Sequence, residues 1–86
     1  MIVSNSAARL RLEVTGVVQG VGFRPLAFRL AESLGVGGFV HNTRRGAVVE
    51  VEGAPDVLIR FIQRLRAAPS PVCVHGIRQR AVGPKG

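Results

Sequence analysis

The chain has no tryptophan and no tyrosine, one cysteine, one lysine and five acidic residues in 86. With only Phe23, Phe28, Phe39 and Phe61 as aromatics, it is poor in the platforms on which nucleic-acid bases stack. The lone Cys73 excludes an internal disulfide and a cysteine-rich zinc site. Such cysteine usage fits a reduced, cytoplasmic setting, and Cys73 itself reads as a small buried apolar residue. No apolar run approaches the roughly 20 residues of a membrane span. Residues 1–8 have neither the basic start nor the apolar core of a secretory leader. They read as a loose N-terminal segment, with residues 9–82 as one domain and 83–86 as a loose tail.

The scarcity of acids also limits the chemistry. No two carboxylates share a loop, no Ser-His-Asp set is supported, and His41 and His75 read as isolated strand side chains. Catalysis in such a chain has to rest on electrostatic positioning. Positive charge, by contrast, is abundant. Twelve basic residues, eleven of them arginine, give a net charge of +7. That field attracts phosphorylated metabolites, nucleic acid or acidic protein surfaces without choosing among them.

Leu10, Leu12 and Val14 alternate with Arg11, Glu13 and Thr15, the pattern of a strand with one buried and one wet face. A glycine-rich loop, 16–22, precedes a helix over 24–34, whose stripe is Phe23, Ala27, Leu30, Ala31 and Leu34. Pro25 suits the first helical turn and Gly35 the stop. A strand over 39–42, a turn over 43–46 with Gly46 at positive φ, and a strand over 47–52 follow. In the last of these, Val49 and Val51 face one way and Glu50 and Glu52 the other. Leu58, Phe61, Ile62 and Leu65 form the stripe of a second helix, with Arg60, Arg64 and Arg66 on its solvated side. A weaker strand within 72–82 is interrupted by Gly76. The order βαββαβ predicts a ferredoxin-like α+β sandwich: a four-stranded antiparallel sheet with two helices on one face.

The loop Gly16-Val-Val-Gln-Gly-Val-Gly-Phe-Arg-Pro25 is the candidate site. Backbone amides at a helix start, backed by the helix dipole, form an anion site, and an arginine adds a planar fork for phosphate oxygens. The loop is not a P-loop, because no lysine follows its glycines, nor a dinucleotide fingerprint, because Pro25 stands where the third glycine belongs. An RNA-recognition module shares the element order, but Ala47, Val49 and Glu52 occupy the positions where its third strand needs aromatics. On these residues alone, a ligand-free glycine turn stays open beside a phosphate cradle.

The run Val14-x-Gly16-x-Val18-Gln19-Gly20-Val21-Gly22-Phe23-Arg24 resembles the acylphosphatase signature. A second segment, Gly38-Phe39-Val40-His41-Asn42-Thr43, then Gly46 and Val51-Glu52-Gly53, follows in the order of that family. The resemblance implies that Arg24 holds the substrate phosphate, wrapped by the backbone amides of Val18, Gln19, Gly20, Val21, Gly22 and Phe23. It implies that Asn42 orients the attacking water, supported by Thr43. It calls for no metal and no cofactor. Ala47 stands where acylphosphatases often carry a hydroxyl, a departure affecting fine substrate positioning.

The Gly22–Pro25 combination, followed by Leu26-Ala27-Phe28-Arg29-Leu30-Ala31, is most similar to the N-terminal domains of HypF-type carbamoyltransferases of nickel–iron hydrogenase maturation. This implies an excised domain that hydrolyses carbamoyl phosphate. Its partners would be downstream domains of the same polypeptide and hydrogenase maturation proteins, with no nucleic acid, no membrane and a monomeric state. A stand-alone acylphosphatase and a non-catalytic phosphate-binding module are the other two readings.

Overall fold

The computed structural model describes residues 7–85. Its elements run β1 (Ala8–Val17), α1 (Phe23–Leu34), β2 (Gly37–Asn42), β3 (Gly46–Gly53), α2 (Pro55–Arg66) and β4 (Cys73–Val82). The strands form one antiparallel sheet in the order β2-β3-β1-β4, so the expected ferredoxin-like sandwich is the fold. Residues 1–6 of the segment read as loose lie outside the described residues, and Ala8 already pairs with Gly53.

One face of the sheet carries the core. Leu12 and Val14 of β1 and Ala47, Val49 and Val51 of β3 meet Phe23 and Ala27 of α1 and Leu58, Phe61 and Leu65 of α2. Both helical stripes therefore bury as their spacing requires, while Arg60, Arg64 and Arg66 stay exposed. Helix α1 ends at Gly35, which is left-handed (φ 70°), and Val36 N–H donates back to Ala31 O at 3.0 Å.

Four local expectations are corrected. Gly46 keeps the expected positive φ (159°) but is the first residue of β3 rather than a turn residue, pairing with Thr15. What demands glycine there is close approach. A Cβ at Gly46 would lie 2.0 Å from the carbonyl oxygen of Val14, a backbone atom that cannot swing aside. β4 runs to Val82 with Gly76 paired to Thr15; the interruption expected at Gly76 is a register shift one residue earlier, where the ladder passes from Thr15–Gly76 to Gly16–Val74 and His75 has no register partner. Cys73 is exposed at the start of β4, and its neighbour Val72 takes the buried place.

The fourth concerns the wet face of the sheet. Glu50, expected in solvent, is only 6% exposed, and Arg9 only 7%. The Arg9 side chain donates to Glu50 at 2.7 Å and to Glu52 at 3.0 Å, and Arg11 donates to Glu50 at 2.9 Å. Phe39 lies 5.9 Å from the Arg9 guanidinium, and the Lys85 backbone N–H donates to Glu52 at 2.8 Å. Central strands surrounded by long side chains exclude water even where no helix covers them.

The hydrogen bond from Arg9 holds the Glu50 carboxyl below its ordinary range, against a desolvation that pushes it up and with help from Arg11. A folded pKa below the unfolded one stabilises above the unfolded value, about 4.3, and that stability is lost as pH falls through the folded value. Urea denaturation of wild type from pH 7 to pH 3 is therefore expected to show stability falling below about pH 4.3. In Glu50→Gln, stability at pH 7 should be lower and the acid decline shallower. An unchanged acid limb would show that Glu50 does not couple to folding.

Candidate active site

Strand β1 delivers the chain to the loop at one end of the sheet, and α1 starts back from the same end. Val18 and Phe23, both almost fully buried, pin the two ends of the loop into the core, and Val21 packs partly against it. Between them the backbone turns at Gly20 (φ 72°) and Gly22 (φ 87°). Space is open around both, so it is the left-handed conformation, not crowding, that calls for glycine. Gly22 caps α1, its carbonyl accepting from Leu26 N–H at 3.1 Å.

Helix α1 thus begins at Phe23, one residue earlier than expected, with Arg24 second and Pro25 third. Outside the regular helix and strand ladders, no amide of residues 18–23 donates to a described backbone carbonyl. The first turn of α1 holds no acidic residue, so nothing opposes the positive end of the dipole. Arg24 is exposed and makes no ion pair among the described residues.

Asn42 ends β2. It pairs with Ala47 of β3, which pairs with Val14 of β1, so the three lie side by side across the sheet. Because β2 runs parallel to β1, Asn42 sits at the end where α1 starts. Strand alternation puts it on the helix-bearing face with Val40.

The loop and this hairpin are tied together by a side chain that sequence reasoning used only for its backbone. The Gln19 side-chain amide donates to Thr43 O and, at 3.1 Å, to Gly46 O. Thr43 N–H in turn donates to Gly46 O at 3.0 Å. No sequence spacing signals this, since the partners are main-chain carbonyls 24 and 27 residues away. The loop that leads to Arg24 and the hairpin that carries Asn42 and Thr43 are thereby joined at one end of the sheet. Gln19→Ala removes both bonds. It should cost about 1 kcal/mol of stability and speed amide hydrogen exchange at Gly20 and Gly22. Unaltered exchange would mean the loop is held by Val18 and Phe23 alone.

Fold and site together define a small α+β sandwich domain with an amide-and-arginine cradle at a helix start. The chain belongs to the acylphosphatase family, whose sequence model matches residues 10–85. It is 38% identical over 78 residues to the acylphosphatase of Thermotoga maritima, covering 90% of this chain and 87% of that protein. It is 45% identical over 64 residues to carbamoyltransferase HypF2 of Cupriavidus necator, covering 74% of this chain. The chain spans only 8% of that carbamoyltransferase's length. Among solved structures, full-length HypF in its phosphate- and nucleotide-bound form superposes with a TM-score of 0.87 at 33% identity, over 93% of this chain and 11% of that one. Acylphosphatase from Bacillus subtilis gives 0.85 at 28%, over 92% and 90%. Membership supports a hydrolase activity for the domain. No helix among the described residues is long and apolar enough to cross a membrane.

Proposed function

We propose that the domain hydrolyses carbamoyl phosphate or related acyl phosphates, and that it is the N-terminal part of a HypF-type carbamoyltransferase. The observation that carries the reaction is the set of uncommitted amides at residues 18–23 beside Arg24, coupled through Gln19 to the hairpin bearing Asn42. The amides and the Arg24 fork hold the phosphoryl oxygens and neutralise their charge as the bond loosens. Asn42 orients a water for in-line attack. The water oxygen bonds to phosphorus, and the bond from phosphorus to the carboxyl or carbamate oxygen breaks. The carboxylate or carbamate leaves with the electron pair. The leaving group is good, so a phosphoryl oxygen suffices as proton acceptor, which suits a site without a carboxylate or histidine base. Cationic and dipolar groups of the protein take the place of a metal ion.

The HypF branch rests on the Gly22–Pro25 combination and on a HypF relative at 51% identity over 51 residues; overall identities overlap, at 34–51% to HypF proteins and 38–44% to stand-alone acylphosphatases. In that setting the partners are the rest of a longer polypeptide and other maturation proteins, in the cytoplasm. The test is phosphate release from carbamoyl phosphate and acetyl phosphate in the presence of a chelator. Turnover of carbamoyl phosphate is expected. Binding of inorganic phosphate without any turnover would favour a phosphate-binding module instead. Asn42→Ala should lower kcat about 100-fold while KM changes little, since orientation of water is lost and phosphate binding kept.

A further inference from the structure

The open face of the sheet, opposite the helices, carries a second gathering of arginines. Arg11 of β1, Arg78 of β4 and Arg44 and Arg45 of the β2–β3 turn border a concavity of about 620 Å³. Among the described residues, Glu13 is the one carboxylate that lines it. The other acids of this face, Glu50 and Glu52, are engaged by Arg9 and Arg11. Arg44, Arg45 and Arg78 have no carboxylate partner among the described residues. Val48, 5% exposed, is the apolar lining contributed by β3 on this face. One wall is kept low by Gly76, where a Cβ would lie 3.3 Å from Thr15 Oγ1, the hydroxyl that donates to Gly76 O.

We infer that this concavity is a second anion site, for a small ligand bearing two or more phosphate groups. Three unpaired guanidinium groups offer planar donor forks matched to phosphate oxygens. They stem from places separated by β1, two strand spacings or about 10 Å of backbone. A single phosphate engages one side of such a span, whereas a chain of phosphates reaches both. A base-stacking nucleic-acid face fits less well. Phe39 and His41, the aromatic rings of β2 on this face, stack on each other at 5.6 Å, and Arg9 covers Phe39. The concavity adjoins the glycine loop, since Arg44 and Arg45 also border residues 16–19 and Thr43 lines it, but Arg78 and Gly76 set it on the open face, and it does not depend on the reaction proposed at the cradle.

The test is a titration of the ¹⁵N-labelled chain with inorganic tripolyphosphate in physiological salt. Two groups of amide shifts are expected. One covers residues 18–24; the other covers Thr15, Val48, Gly76 and Arg78 and saturates at a different concentration. Inorganic phosphate should saturate only the first. Arg78→Ser and Arg44→Ser should each weaken the second group at least tenfold, and Arg78→Ser, remote from the glycine loop, should leave phosphate release from acetyl phosphate unchanged. The double variant Arg60→Ser, Arg64→Ser removes charge from α2 and should leave both groups intact. Absence of the second group would overturn the proposal. So would equal weakening by the α2 variant, which marks non-specific attraction. Stronger binding of a single-stranded oligonucleotide that shifts Phe39 and His41 would replace it with a nucleic-acid face.

Discussion

Arg24→Ala is expected to reduce phosphate release from carbamoyl phosphate and acetyl phosphate by roughly 100- to 1000-fold, about 3–4 kcal/mol of transition-state stabilisation. Arg24 is exposed and holds no carboxylate, so its removal should leave folding within about 0.5 kcal/mol of wild type. The lost activity would then report on the site alone. Its position sharpens the expectation. It is second in α1, on the turn whose first amides have no backbone acceptor, so in the proposed mechanism fork and dipole act on the same oxygens. Arg24→Lys should recover only part of the rate, because an ammonium restores charge but not the bidentate geometry. Steady-state kinetics with a phosphate-release assay, beside a denaturation curve for each variant, decide the matter. Undiminished turnover in Arg24→Ala would remove the basis of the proposed mechanism.

The second large effect is on stability. Phe61 is fully buried where α2 meets the sheet, and Phe61→Ala should cost about 3–5 kcal/mol through lost transfer energy and the cavity left behind. A domain of this size has a total stability of about 4–13 kcal/mol at ordinary values per residue. The variant is therefore expected to lose a large share of its stability, with a urea midpoint well below wild type. Ile59→Ala, on the exposed side of the same helix, should shift the midpoint little. Similar midpoints for the two variants would mean that α2 contributes little to the core.

Much of this architecture was legible in the order of residues. The 3.6-residue stripes of both helices and the alternation in the first and third strands depend on near neighbours, and so do the helix stop at Gly35 and the glycine-rich loop at 16–22. Those properties are local and survive being read one window at a time. The family signature was legible for a related reason. Arg24 and its amides lie within one continuous stretch, so the cradle is written contiguously.

Features that arise between strands were not legible. Glu50 and Glu52 alternate like solvent-facing residues, yet Arg9, 41 positions away, crosses to Glu50 and excludes water from it. Gly46 looked like a turn residue, but the carbonyl of Val14 on the neighbouring strand is what forbids a side chain there. Gln19 carried no distinguishing signal because it reads main-chain carbonyls, which every residue possesses.

From sequence alone came the fold class, the candidate loop with Arg24, and an excess of arginine that attracts anions. Tertiary structure alone decided how the cradle is joined to Asn42, which acids of the sheet are neutralised, and which arginines are left free on its open face. The division follows sequence distance. Backbone conformation and amphipathic period are set within a few residues, whereas hydrogen bonds and ion pairs between strands depend on a register that only the folded sheet establishes.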